Sequence, residues 1–92
     1  MIRSFTDRDT EALFRGEIPK QWEAVASVAR RKLDMLESAA DLLDLRSPPG
    51  NRLEALNGDR AGQHSIRINH RWRICFIWAD CGAERVEIVD YH

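Results

Sequence analysis

Seven residues in the last third of the chain have side chains that could handle a phosphate ester: Arg67, His70, Arg71, Arg73, Asp90, Tyr91 and His92. Arginine offers a fixed fork of donors that fits a phosphoryl group. Histidine beside an aspartate is an acid or base that can be tuned near neutral pH. Tyrosine presents a face on which a nucleobase can stack. Together these are parts for breaking a phosphodiester bond in RNA. An Arg–Asp pair that pins a sheet corner, beside a solvated histidine, is the more ordinary use of the same residues. Composition and spacing alone favour that ordinary use.

Whether the seven meet depends on three runs of strand character. Ile66 and Ile68 alternate with Ser65 and Arg67. Trp72, Ile74, Phe76 and Trp78 alternate with Arg73, Cys75, Ile77 and Ala79, and Val86, Ile88 and Val89 make the third run. Period-two alternation of β-branched and aromatic residues is the strand signal. Asn69-His70-Arg71 and Asp80-Cys81-Gly82 supply turn chemistry for the two breaks. Breaks this short imply antiparallel neighbours. Folding the chain around residue 70 sets Arg67 opposite Arg73. Folding it around residues 82 and 83 sets Arg73 opposite residues 90–92. All seven side chains should then gather at one end of the sheet. A register slip of one would change their face and not their end.

The upstream residues read as cover for that sheet. Residues 2–5 suggest a short first strand. Thr6 with Asp9 resembles a capping box that opens a helix over about residues 7–15, with Gly16 as its stop. Pro19 opens a second helix. Its apolar stripe is Trp22, Val25, Ala29, Leu33, Leu36, Ala40 and Leu43, at the spacing of one buried face. It can divide at Ser38-Ala39-Ala40, and Arg30-Arg31-Lys32 reads as a solvated face. Ser47-Pro48-Pro49-Gly50-Asn51 ends helical structure. Residues 52–56 suit a turn or short strand, and residues 57–62 a loop. The order is β-α-α-loop-β-β-β, an α+β layer structure with helices over one sheet face. The run over residues 72–79 is apolar on both parities, as a covered central strand is.

With 92 residues, 43% of them apolar and 32% charged, the chain fits one soluble domain with a modest core. No stretch is long and apolar enough to span a membrane, and the opening MIRSFTDRDTE is too polar and acidic for a signal peptide. The two cysteines show neither metal spacing nor a disulfide framework, which suggests reduced thiols in a cytosolic protein. His64 and His70 also lack metal spacing, so neither a metal nor a cofactor is expected. Net charge is −1, which argues against general nucleic-acid binding. The charge is unevenly spread: residues 52–73 hold five arginines against Glu54 and Asp59, an excess of three, and the remainder is acidic by four. A local basic patch suits a directed contact with phosphates, or a solvated face.

The pattern Arg52-Leu53-x-x-Leu56-x-Gly58-Asp59-Arg60-x-Gly62, followed by Ser65-Ile66, Trp72-Arg73-Ile74-x-Phe76 and Asp90-Tyr91-His92, resembles the HigB-type toxins of the RelE/ParE toxin–antitoxin superfamily. Met1-Ile2-Arg3-Ser4-Phe5 and the segment Leu45-Arg46-Ser47-Pro48-Pro49-Gly50-Asn51 resemble its GraT-like branch. The resemblance covers essentially the whole chain. It implies a single toxin domain over residues 1–92, with an N-terminal strand and two helices packed on an antiparallel sheet. It implies a cytoplasmic, ribosome-dependent mRNA endonuclease that works in the A site, inhibits translation and slows growth. The implied partner is a HigA-like helix-turn-helix antitoxin, with no membrane involved. Arg73 matches the family's active-site arginine, and Asp90, Tyr91 and His92 match its C-terminal catalytic end. Glu54 stands where several HigB toxins carry a histidine, and Asn57 where they carry a lysine. Both departures remove groups that could donate to phosphate, so a weaker nuclease is expected.

Cleavage without a metal uses the 2′-hydroxyl as nucleophile, and needs a base, donors for the phosphoryl oxygens and an acid for the leaving 5′-oxygen. Arg73 is the expected charge stabiliser, with Arg67 in support. His92 is the expected acid or base, positioned by Asp90; its own terminal carboxylate favours the imidazolium, which suits an acid more than a base. Tyr91 stacks on or orients the nucleotide. Glu54 is either the general base or a surface glutamate on a loop. Arg60, Arg67, Arg71 and His70 are the expected RNA contacts. Two competing readings share the fold: a ParE-like inhibitor of DNA gyrase, and a non-catalytic binding domain.

Overall fold

The computed structural model describes residues 1–90. The alternating runs form three strands, β2 (His64–Arg67), β3 (Trp72–Ala79) and β4 (Gly82–Asp90), preceded by the two-residue β1 (Glu54–Ala55). They make one antiparallel sheet in the order β1-β2-β3-β4. The β2–β3 turn is closed by a side chain and not by a left-handed residue. Asn69 Oδ1 accepts the backbone N–H groups of Arg71 and Trp72, each at 2.8 Å. That turn sets Arg67 opposite Arg73, as expected.

The β3–β4 register differs from the expectation. The turn consists of Asp80 and Cys81 alone, both left-handed (φ 50° and 63°), and Ala79 pairs with Gly82. This is the backbone of a tight two-residue hairpin. A bulge between Cys75 and Ile77 then shifts the ladder by one residue. As a result Arg73 faces Val89, and Trp72 faces Asp90.

Two helices, α1 (Arg8–Phe14) and α2 (Ala26–Ser38), cover one sheet face. Leu13, Ala29, Leu33 and Leu36 pack there with Ile66, Ile74, Phe76, Val86 and Ile88 in one buried cluster. Thr6 does not cap α1. Asp7 does, accepting from Thr10 N at 2.9 Å, because Thr6 is drawn to β4, where its hydroxyl donates to the Arg85 carbonyl at 3.1 Å. The N-terminal segment lies along β4 through two isolated parallel bridges, Ile2 with Ala83 and Phe5 with Val86, and not as a full strand. Thr10 Oγ1 then accepts from Ile88 N at 3.1 Å and ties α1 to β4.

The long second helix is shorter than its stripe suggests. Residues Lys20–Trp22 and Leu42–Arg46 are 3-10 turns on either side of α2. Ala39 is extended (ψ 129°), and Asp41 caps the second turn. Leu43 consequently leaves the apolar stripe and is 59% exposed. Lys32 departs from its expected solvated face: its side chain is buried, and its ammonium donates to Asn51 Oδ1. Burial, and then the neighbouring Arg31 charge, hold this amine below the ordinary value of 10.5. Asn51 is itself fully buried and donates to the Leu45 carbonyl at 3.1 Å and the Ser47 carbonyl at 3.4 Å. This amide fastens the loop before β1 to α2. Asn51→Ala strands a buried ammonium and a buried carbonyl, so urea unfolding should show a loss of about 2–4 kcal/mol.

The cysteines are free, Cys75 buried on β3 and Cys81 exposed at the hairpin tip. Burial raises the Cys75 thiol pKa; the Arg60 charge opposes that, Glu87 adds to it and Arg73 opposes it. A thiol reagent should therefore modify one cysteine of the folded protein, Cys81, and reach Cys75 only in denaturant. Peptide mapping of the labelled site checks this. No helix among the described residues is long and apolar enough to cross a membrane.

Candidate active site

The sheet face away from the helices presents the other parity of β2 and β3: Ser65, Arg67, Arg73 and Cys75. Where this face meets the segment entering β1, a cleft of about 390 Å³ opens. Arg52, Leu53 and Glu54 line it from that segment, Arg67 and Arg73 from the sheet, and Asn69 and His70 from the β2–β3 turn. Among the described residues the lining holds three arginines and one carboxylate. Among the described residues no hydrogen bond or ion pair engages the side chain of Arg52 or Arg67.

Arg73 forms the floor and is only 6% exposed. Its Nε donates to Ser65 Oγ at 2.8 Å, and its Nη2 to the Arg52 carbonyl at 2.8 Å. Arg52 is left-handed (φ 47°), and this turn sends the chain into β1. Glu54 Oε1 lies 3.1 Å from Arg73 Nη2. Its side chain is 49% exposed, so the carboxylate sits at the mouth of the cleft with the guanidinium beneath it.

Of the residues singled out by sequence, Arg67, His70, Arg73 and Glu54 converge here. Arg71 and Asp90 pair with each other instead, Nε to Oδ2 at 3.1 Å, and the Arg71 guanidinium rests 4.7 Å from the Trp72 ring centroid. Arg60 is also outside the lining: it donates to Gln63 at 3.0 Å and to Glu87 at 3.3 Å. Tyr91 and His92 lie outside the described residues. Asn57 precedes the 3-10 turn Gly58–Arg60 and is not in the lining. Trp72 and Trp78 pack against the core.

Sequence reasoning passed over Arg52, Leu53, Asn69 and Ser65 as parts of the site. Ser65 was within reach, because it shares a face with Arg67 and lies diagonally across the ladder from Arg73. Arg52 was not, since nothing in its type announces a left-handed turn.

A family model described as the RelE-like toxin of the type II toxin–antitoxin system HigB matches residues 3–92. The chain belongs to the HigB-like toxin family. This HigB-like toxin is 50% identical over 50 residues to "Toxin HigB-1" of Vibrio cholerae, a stretch that makes up 54% of this chain and 53% of the relative. The matched part thus spans about half the length of that relative. Over the full length of both chains it is 26% identical to "Endoribonuclease HigB" of Proteus vulgaris. In fold it is similar to the solved YoeB–YefM complex from Staphylococcus aureus, with a TM-score of 0.62 at 16% identity, covering 100% of this chain and 98% of that one. The HigB-like toxin thus has the two-helix, antiparallel-sheet fold that its sequence implied.

Proposed function

We propose that this HigB-like toxin is a metal-independent endoribonuclease that cuts mRNA in the ribosomal A site, and that the Arg73 cleft is its active site. One observation carries this reading: a buried guanidinium, held by the Ser65 hydroxyl and the Arg52 carbonyl, opens into a cleft that Arg52 and Arg67 also line, beside a half-exposed carboxylate. A guanidinium so held can meet the charge that develops on phosphoryl oxygens without reorganising. The name of the Proteus vulgaris relative, an endoribonuclease, supports the same chemistry.

In this mechanism Glu54 takes the proton from the 2′-hydroxyl as its oxygen bonds to phosphorus. The P–O5′ bond breaks, leaving a 2′,3′-cyclic phosphate. Arg73, with Arg67 on the same face, stabilises the extra charge. His92 delivers a proton to the departing 5′-oxygen, Asp90 positions His92, and Tyr91 stacks on the nucleotide. Arg52 and His70 contact flanking RNA within the cleft, and Arg60 and Arg71 engage it farther out. Residues 1–92 act as one toxin domain in the cytoplasm. Inhibition of translation and slowed growth follow from cutting messages.

The neutralising partner is an antitoxin of the HigA-like helix-turn-helix kind. Support for an antitoxin comes from the family description and from the YoeB–YefM pairing of the structural neighbour. The test is induction of the wild type and of an Arg73→Ala/His92→Ala double variant in cells without antitoxin, with mRNA 5′ ends mapped by primer extension. New cuts inside reading frames, absent with the folded variant, support the nuclease. Growth arrest without such cuts turns the reading to gyrase or another target.

A further inference from the structure

A charge stabiliser contributes most when it is already in place as charge develops, and an arginine side chain has four torsions to restrain. We infer that Ser65 is the positioning residue for Arg73, holding its guanidinium plane at the cleft floor through Ser65 Oγ. The inference rests on the nuclease reading above. The contact is 2.8 Å long, to Nε, the one nitrogen of the fork nearest the aliphatic stem. A bond at Nε fixes the plane of the group and aims both terminal nitrogens along one direction.

Ser65 is fully buried and Arg73 nearly so, so water offers no ready substitute for this acceptor. The two residues sit on adjacent strands with Ser65 paired to Cys75 and Arg67 to Arg73, a register that leaves little freedom. The second anchor, the Arg52 carbonyl, is aimed by a left-handed residue. The Ser65 hydroxyl and the Arg52 carbonyl are both neutral oxygens. A carboxylate at position 65 would hold the guanidinium equally well and cancel its charge in a buried place. A hydroxyl restrains the group without placing a negative charge beside it. The Glu54 carboxylate, which meets Arg73 at 3.1 Å, is half-exposed, where substrate can displace it.

The test compares Ser65→Ala and Ser65→Cys, each in the wild-type and the Arg73→Lys backgrounds, in single-turnover cleavage of mRNA on programmed ribosomes. Lysine has no counterpart of Nε–H, so a residue that acts through Nε loses its effect there. In the wild-type background both substitutions should lower kcat by about tenfold to a hundredfold with apparent KM nearly unchanged, as misplacement of a catalytic group does. In the Arg73→Lys background Ser65→Ala should change kcat by less than about twofold, the limit expected when the two sites act as one unit. Ser65→Cys keeps the buried volume and carries the comparison should the alanine variant fold poorly. Equal losses in both backgrounds, or an unchanged kcat with a lowered melting temperature, would overturn the inference and leave Ser65 as a packing residue. Full activity of Arg73→Lys would instead sink the role given to Arg73.

Discussion

Arg73→Ala should lower the rate of mRNA cleavage by about 10²–10³-fold, the cost of removing one preorganised donor from a charge-stabilising site. Stability should fall as well, because the substitution leaves the buried Ser65 Oγ and the part-buried Arg52 carbonyl without their donor. That loss amounts to about 1–3 kcal/mol. The two effects separate experimentally. Unfolding by urea reads the second, and cleavage at a temperature where circular dichroism shows the variant folded reads the first. Arg73→Lys refines the result: it keeps the charge as a mobile point and loses the planar fork, so it should recover part of the stability and little of the rate. A loss of rate no larger than the unfolded fraction explains would count against any catalytic role.

Glu54→Gln should reduce cleavage by about 10²-fold or more, within the range set by removing a general base. Stability should barely move, by less than about 1 kcal/mol, because a half-exposed ion pair is screened by water. The amide keeps the size and the hydrogen-bonding reach of the carboxylate and cannot accept the proton. Glu54→His restores a proton acceptor of the kind that several HigB toxins carry there, and should return much of the lost rate. If Glu54→Gln instead cleaved faster than the wild type, Glu54 would be a competitor for the phosphate at Arg73, and the base would have to be sought elsewhere.

The meeting of Arg67 and Arg73 was legible because it depends only on period-two alternation and a short break, both written in residue types. The Arg73–Val89 pairing was not. It depends on a bulge at Cys75 and on a hairpin whose two left-handed residues, Asp80 and Cys81, are not the glycine-bearing pair that sequence favours. The same shift lets Asp90 meet Arg71, so the Asp90 side chain serves an exposed corner pair in addition to any role beside His92. The α2 stripe was read correctly in its middle. It failed at Leu43, where an extended Ala39 resets the helical phase. Glu54 was named only through the family resemblance: a two-residue strand has no periodicity to read, and the fold of residues 52–54 is what brings its carboxylate to Arg73.

The bridges from Ile2 and Phe5 to β4, and the bond from Ile88 to Thr10, join residues some eighty positions apart. Residues 2–10 thus lack these partners until residues 83–88 have cleared the exit tunnel, and the helical layer has no complete sheet to rest on before then. Contacts of such long range are late and slow to form. The edge where β4 meets the N-terminal segment, and the helical layer tied to it through Thr10, therefore close last, after residues 83–88 are free to fold.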